Sequence, residues 1–351
     1  MKIIILENKI LHYRKPFFNG LAYHYDTTVL HSGDISVNSQ EDSYKEYIVP
    51  LKKKNKFYLQ SEVVPYIKKN DLDVVIGMFD LAWVDIVKAF FYCKKNNIPF
   101  VWWGIGFGKN KVINFIRKIL VNYSNGVILY TKESKELFVQ YGIIKEKIFV
   151  ANNTFHVENR IKGYEFSKDS ILFVGSLDKR KQNDILINAF SSIVDDIPKN
   201  INLIIIGEGI ELENLRKLSS KLKLENRVKF IGKVTDTKIL ASYYKKAICS
   251  VSFGQAGLSV LQSLAYGVPF ITKRTAISGG EISNIIDGYN GFLCEDDIES
   301  LKLSLTNIIL DKEKTISMGK NAYDYYSENA TMEKMIQGFI DAIDYARSIN
   351  K

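Results

Sequence analysis

In Gly175-Ser176-Leu177-Asp178-Lys179-Arg180-Lys181 a hydroxyl, a guanidinium and an ammonium follow an apolar run that ends in glycine. A second segment, Ser252-Phe253-Gly254-Gln255-Ala256-Gly257-Leu258-Ser259, passes from a strand-like stretch through glycines into a short apolar helix that Gly267-Val268-Pro269 breaks. A helix start offers backbone N–H groups without intrahelical partners, together with the positive end of the helix dipole. Phosphate is the anion such ends attract, so the N–H groups of Leu258 and Ser259 are candidate donors to one. Lys181 is the first choice for a functional side chain. An ammonium at the positive start of a helix is poorly placed unless an anion sits beside it; the plain alternative is a surface lysine.

Other candidates are weaker. Arg14, in Arg14-Lys15-Pro16-Phe17-Phe18-Asn19-Gly20, follows the first strand and could contribute charge, with a solvated loop as the alternative. Trp102 and Trp103, ahead of Gly104, could stack on a ring or pack in a core. Glu281, after Ser278-Gly279-Gly280, is the one carboxylate nominated for a ligand hydroxyl, and a helix-start glutamate is its bland reading. His12, His24, His31 and His156 show no metal or nucleophile-activating spacing, although His12 and His31 each end near a first-half strand. No Asp-x-Asp pair stands at a strand end, so neither a metal nor another cofactor is expected.

The elements that must position these residues repeat. Residues 2–6, 28–31, 73–78, 99–103, 126–129 and 147–150 read as strands, with helical stretches such as 58–69, 81–96 and 132–141 between them. The pattern restarts with strands at 170–175, 202–207, 227–231 and 247–252 and helices at 182–194, 212–223 and 236–246. Residues 323–350 keep a helical rhythm. Such alternation implies α/β architecture with parallel sheets covered on both faces, and 351 residues favour two domains. The polar segment 158–169 is the natural linker, giving domains at 1–160 and 161–325 and a terminal helix at 326–351. Two Rossmann-like domains in tandem would leave a cleft at the carboxyl ends of both sheets.

Charge is unevenly spread. Residues 1–160 hold 23 Lys and Arg against 15 Asp and Glu, and the remainder 25 against 24, summing to +9. A basic half suggests an anionic surface as partner, with Lys52-Lys53-Lys54-Asn55-Lys56-Phe57-Tyr58 as a candidate membrane contact and a solvated loop as its alternative. No nucleic-acid-binding module is recognised. Three scattered cysteines fit a reducing cytoplasm, and no apolar run is long enough to span a membrane.

In order and wording the second half resembles the donor-binding half of retaining GT-B glycosyltransferases of family 4, the glycosyl transferases group 1. The resemblance is carried by 175–181, by Ile206-Gly207-Glu208-Gly209, by Val228-Lys229-Phe230-Ile231-Gly232, by the helix from Gly257 and by Asp287-Gly288-Tyr289-Asn290-Gly291. It implies a GT-B fold and a nucleotide-sugar donor whose diphosphate lies against Lys181, Arg180, Gly207 and the 257–259 helix start. The chain departs from the family in several places. Ser176 stands where the clamp arginine does, so Arg180 or Arg274 would have to substitute. Gly254 and Gln262 replace the two family glutamates; Gln262 can still bond ribose hydroxyls, whereas Gly254 offers backbone alone. On the acceptor side Arg14, Gly20, Trp103 and Gly104 occupy the matching segments, and the family histidine is absent.

The resemblance thus implies transfer of a sugar to a glycan or lipid-linked acceptor in bacterial surface polysaccharide synthesis. Retention comes from the resemblance, with the leaving phosphate taking the acceptor proton. A non-catalytic GT-B protein binding nucleotide sugar or glycan is the alternative. An epimerase would need more cleft carboxylates, and a nicotinamide dehydrogenase would need Gly-x-Gly-x-x-Gly after the first strand.

Overall fold

The computed structural model describes residues 1–33 and 41–349. Two compact units are present, one made of Met1–His156 with Met332–Lys351 and the other of Val157–Thr331. The segment 158–169, read above as a linker, lies within the second unit. There Arg160 bonds Ser327 Oγ at 2.7 Å and the Ala265 carbonyl at 3.2 Å.

The strands of the first unit are β1 (Lys2–Leu6), β2 (Asp26–His31), β3 (Lys45–Ile48), β4 (Lys52–Lys54), β5 (Phe57–Leu59), β6 (Val74–Met78), β7 (Phe100–Gly104), β8 (Gly126–Leu129) and β9 (Ile148–Val150). All except β4 and β5 form one parallel sheet, in the order β3-β2-β1-β6-β7-β8-β9. Its central strands are apolar runs because both faces are covered. Successive β1 residues feed opposite cores: Ile4 and Leu6 join Trp102 and Phe100, whereas Ile3 and Ile5 join Phe17 and Phe339. The order reverses between β1 and β6, which opens a crevice at their carboxyl ends.

Three sequence expectations change here. Residues 58–69 are not one helix: β4 and β5 pair as an antiparallel hairpin, and the helix is Val63–Lys69. The single rhythm over 323–350 resolves into helices Lys312–Asn329 and Met332–Ser348, while Asn350 lies outside the described residues. Gly20 is not in a loop. Helix Lys15–His24 starts at the turn after Arg14, with Pro16 fitting its first turn, and places Gly20 in its interior. A Cβ there would come within 2.2 Å of Ile336 Cδ1, so Gly20 lets helix Met332–Ser348 pack close.

The second unit holds β10 (Ser170–Val174), β11 (Asn202–Ile206), β12 (Val228–Gly232), β13 (Ala247–Val251), β14 (Phe270–Lys273) and β15 (Gly291–Cys294). They pair in parallel in the order β12-β11-β10-β13-β14-β15. The order reverses between β10 and β13, and the loops after these two strands are 175–182 and 252–258, the segments that carry the candidate phosphate groups.

Candidate active site

At the second unit's switch point the chain leaves β10 at Gly175 and makes one 3-10 turn, Lys179–Lys181, capped by Asp178. The Asp178 carboxylate accepts from the Arg180 backbone N–H at 3.0 Å, from Arg180 Nε at 3.1 Å and Nη2 at 3.0 Å, and from Ser176 Oγ at 2.9 Å. The Arg180 hydrogen bonds are the largest influence on Asp178 and hold its carboxyl down at about 2. Arg180 is thereby committed to its neighbour. Arg274 is committed too, to Asp287 and Glu295. In the ligand-free protein each guanidinium is therefore held by a local carboxylate.

Lys181 differs from both. Its Cε lies 3.7 Å from where a Gly175 Cβ would be, so the side chain runs back over the end of β10. Burial lowers the ammonium's pKa; Asp178 and Glu281 oppose this and Arg180 adds to it. Among the described residues no hydrogen bond or ion pair reaches Lys181 Nζ. A half-buried ammonium without an ion pair leaves a place where an anion would be favourable.

The surrounding loops are locked by close backbone approaches. A Cβ on Gly207 would lie 1.8 Å from the Gly175 carbonyl oxygen, and one on Gly254 would lie 2.2 Å from that of Arg180 and 2.7 Å from Gln182 Cγ. The Gly254 N–H donates to the Lys181 carbonyl at 3.2 Å. Gly254 is therefore required by the turn carrying Lys181. Gly254→Glu should destabilise the second unit by roughly 2 kcal/mol or more through overpacking, read as a lower denaturant midpoint.

The helix expected from Gly257 begins at Ser259, with Leu258 as its cap, and ends at Ala265. The Gly257 carbonyl accepts from the Val260 N–H at 2.9 Å, and space around Gly257 is open. Gln262 Oε1 accepts from the Tyr244 hydroxyl at 3.3 Å, which turns the oxygen toward a tyrosine stacked on Tyr266. Glu281 is buried, its carboxylate folded back onto the Gly279 N–H at 2.8 Å and Ser278 Oγ at 3.1 Å. A cavity of about 420 Å³ over the ends of β10, β11 and β12 is lined by Gly175, Ser176, Gly207, Glu208 and Lys233. Thus Ser176, Lys181, Gly207 and Gly254 share one loop cluster, to which sequence reasoning should have added Lys233, one residue past β12.

The first unit has its own cavity of about 330 Å³ at the β1/β6 switch point, with Glu7, Arg14, Phe79, Trp103, Gly104 and Arg117 among its lining. Arg14 Nη2 donates to Asn153 Oδ1 at 2.7 Å, and its guanidinium lies 5.1 Å from the centre of the Trp103 ring. Trp103 itself is buried, packed on Phe17 and on Phe339 at 4.9 Å. Trp102 stacks on Phe79 in the opposite core. Both rings are therefore core, and the sugar-stacking alternative fails because their faces are occupied by protein. Gly104 lies where a Cβ would approach Phe79 Cβ at 3.1 Å. Arg117 donates to the Gly106 and Phe79 carbonyls and so ties the 104–108 loop to β6. His31 is structural, buried between Glu46 at 2.7 Å and the Gly33 N–H.

Glu7 escaped the sequence reading. Burial is the largest influence on its carboxyl and raises it to about 7, against smaller opposing effects of Arg14 and of the Asn8 N–H. Its signal was present, since a carboxylate that directly ends a buried strand at a switch point is a binding-site position.

The family model of the glycosyl transferases group 1 matches residues 158–325. The chain is 24% identical over 235 residues to the N-acetyl-alpha-D-glucosaminyl L-malate synthase of Bacillus anthracis, covering 67% of this chain and 59% of that protein. It likewise spans only 62% of an uncharacterized glycosyltransferase of Methanocaldococcus jannaschii, 66% of this chain being covered at 27% identity. It is 25% identical to a Campylobacter jejuni alpha-1,4-N-acetyl-D-galactosaminyltransferase named for a diNAcBac-PP-undecaprenol glycan, with 74% and 72% of the two chains covered. In structure it resembles Anabaena HepE in complex with UDP at a TM-score of 0.74 and 18% identity, over 98% of this chain and 100% of that one. Over residues 158–325 the chain is thus similar to the glycosyl transferases group 1, and its fold is that of the GT-B glycosyltransferases.

Proposed function

We propose that the chain moves a sugar from a nucleotide-sugar donor to a glycan or lipid-linked acceptor in surface polysaccharide synthesis, with retention of configuration, at an anionic membrane surface. The observation that carries the reading is Lys181, a half-buried ammonium without an ion pair inside a loop cluster fixed by Gly207 and Gly254. When the glycosyl bond to the donor breaks, negative charge grows on the β-phosphate. A fixed cation beside it stabilises that charge more than it stabilises the intact donor.

The leaving phosphate oxygen takes the proton of the acceptor hydroxyl as the new glycosidic bond forms, so no protein nucleophile is needed. Lys181 supplies positive charge without a metal ion. Excess EDTA is accordingly expected to leave turnover unchanged, and loss of activity restored by a divalent cation would refute that part. The acceptor reading is supported by the lipid-linked glycan in the name of the Campylobacter relative. Retention rests on the family-4 resemblance. No observation favours the non-catalytic alternative, since an idle protein gains nothing from an unpaired cation in a fixed cradle.

The test is thermal unfolding of the purified protein with UDP, GDP, TDP and their sugar conjugates, in the wild type and in Lys181→Ala. Stabilisation by one nucleotide class that disappears in the variant identifies the donor class. No stabilisation by any of them refutes the reading.

A further inference from the structure

Helix Lys111–Tyr123 has two apolar stripes. Its inward side is ordinary: Leu120 and Val121 are buried, and the Asn114 amide ties the helix to Gly108 at 2.7 and 2.9 Å. Its outward side carries Val112, Phe115, Ile116, Ile119 and Tyr123, spaced three or four residues apart and therefore on one face. These residues are 69, 63, 42, 40 and 62% exposed. A helix resting on a soluble protein normally turns charged and polar residues outward, and here an apolar face meets water instead.

The stretch of sequence that carries this face has charge of one sign. Between Asp85 and Glu133 the sequence has no acidic residue and eight basic ones: Lys88, Lys94, Lys95, Lys109, Lys111, Arg117, Lys118 and Lys132. Arg117 turns inward to carbonyls, whereas Lys109 and Lys111 are exposed at the helix start and Lys118 is half-buried on the helix. Lys94, at the end of helix Val84–Lys95, lines the same small cavity as Tyr123. The basic groups thus border an exposed apolar stripe about 17 Å long, at about 1.5 Å per residue.

From this juxtaposition we infer that helix Lys111–Tyr123 lies in the headgroup region of an anionic lipid bilayer, with its apolar stripe inserted and its lysines on lipid phosphates. Apolar insertion and anionic attraction are the two contributions that hold an in-plane helix at a membrane. An acidic protein would match the lysines but not the width of an uninterrupted apolar stripe. The hairpin of β4 and β5 fits less well. Its lysines are exposed, but Tyr58 stacks on Trp83 at 4.8 Å, which leaves Phe57 as its outward aromatic ring. Among the described residues no helix is long and apolar enough to cross a membrane, so the contact is made at the surface. The inference deepens the membrane-facing part of the proposed function and is independent of the donor site.

The full-length protein would be sedimented with vesicles of phosphatidylcholine alone and with one-third phosphatidylglycerol. Binding is expected on the anionic vesicles, weakening with salt. Phe115→Glu with Ile119→Glu should weaken it about tenfold or more, and Lys109→Glu with Lys111→Glu and Lys118→Glu by a similar factor. Reversing Lys52, Lys53, Lys54 and Lys56 together should change it by less than about threefold. Phe115→Trp, which keeps the stripe apolar, should show a blue-shifted emission on anionic vesicles. No binding, equal binding to both vesicle types, or an unshifted tryptophan would overturn the inference. So would a dimer in light scattering that Phe115→Glu dissociates, because the stripe would then cover itself. UDP-induced stabilisation, measured on the same samples, reports the donor site separately.

Discussion

Lys181→Ala should lower kcat by about 10²–10³-fold, the scale on which removal of one preorganised charge-stabilising group acts. It should also abolish stabilisation by the nucleoside diphosphate, which at a hundred times its Kd amounts to about 2.7 kcal/mol. The ligand-free variant tells a structural role from a functional one. Burial already lowers the ammonium's pKa, so its charge is a burden on the unliganded fold. Alanine should leave the Tm of the unliganded protein unchanged or slightly higher. A variant that loses stability without ligand yet keeps the diphosphate effect would sink the assignment. Lys181→Arg should recover part of the rate, because a guanidinium supplies the charge but not the compact shape that fits beside Gly175.

The second large effect belongs to Glu7. Its carboxyl rises from an ordinary value near 4.5 to about 7 in the folded protein. The folded state therefore holds a proton that the unfolded chain releases between these two values. Stability from this group is fully present below pH 4.5 and is lost as pH rises to 7, with no further change above. The loss is on the order of 3 kcal/mol, at about 1.36 kcal/mol per pH unit of difference. Glu7→Gln should remove this pH dependence and make the protein more stable than wild type at pH 8. Denaturant unfolding at pH 5, 6, 7 and 8 measures it. An identical slope in both proteins would place the titration elsewhere. Because Glu7 lines the cavity with Arg14 and Arg117, a ligand filling that cavity should shift the same titration.

Much of this was legible in the sequence, for physical reasons. The buried parallel strands announce themselves as apolar runs such as Ile3-Ile4-Ile5-Leu6 and Leu203-Ile204-Ile205-Ile206, covered on both faces. β3 did not, because Lys45-Glu46-Tyr47-Ile48 sits at the sheet edge and needs no apolar run. The β4–β5 hairpin was hidden by four lysines that read as a solvated stretch and by Tyr58, which reads as the start of a helix.

At the site, the loop cluster was visible as glycines at strand ends, since only a glycine fits where one backbone meets another, as Gly207 meets Gly175. Which cation was available was not visible. Arg180, Arg274 and Lys181 look alike in sequence, and only the positions of Asp178, Asp287 and Glu295 separate the two paired guanidiniums from the unpaired ammonium. Gly20 misled for the opposite reason. A glycine in a segment matched to the acceptor side has its use instead in the approach of a helix more than 300 residues away.

That distant helix, Met332–Ser348, has a further consequence for the order in which the chain is made. Met335, Phe339, Ala342, Ile343 and Ala346 are all fully enclosed in the core of the first unit. Domains generally fold as units while translation proceeds, amino-terminal parts first. Here the first unit cannot complete its interior until helix Met332–Ser348 has emerged, whereas the second unit is continuous in sequence and can close earlier. During that interval the Phe17 and Trp103 side of the nascent sheet stands uncovered, an apolar surface for a chaperone to hold. A chain truncated after Thr331 would thus hold a complete second unit and an unfinished first one.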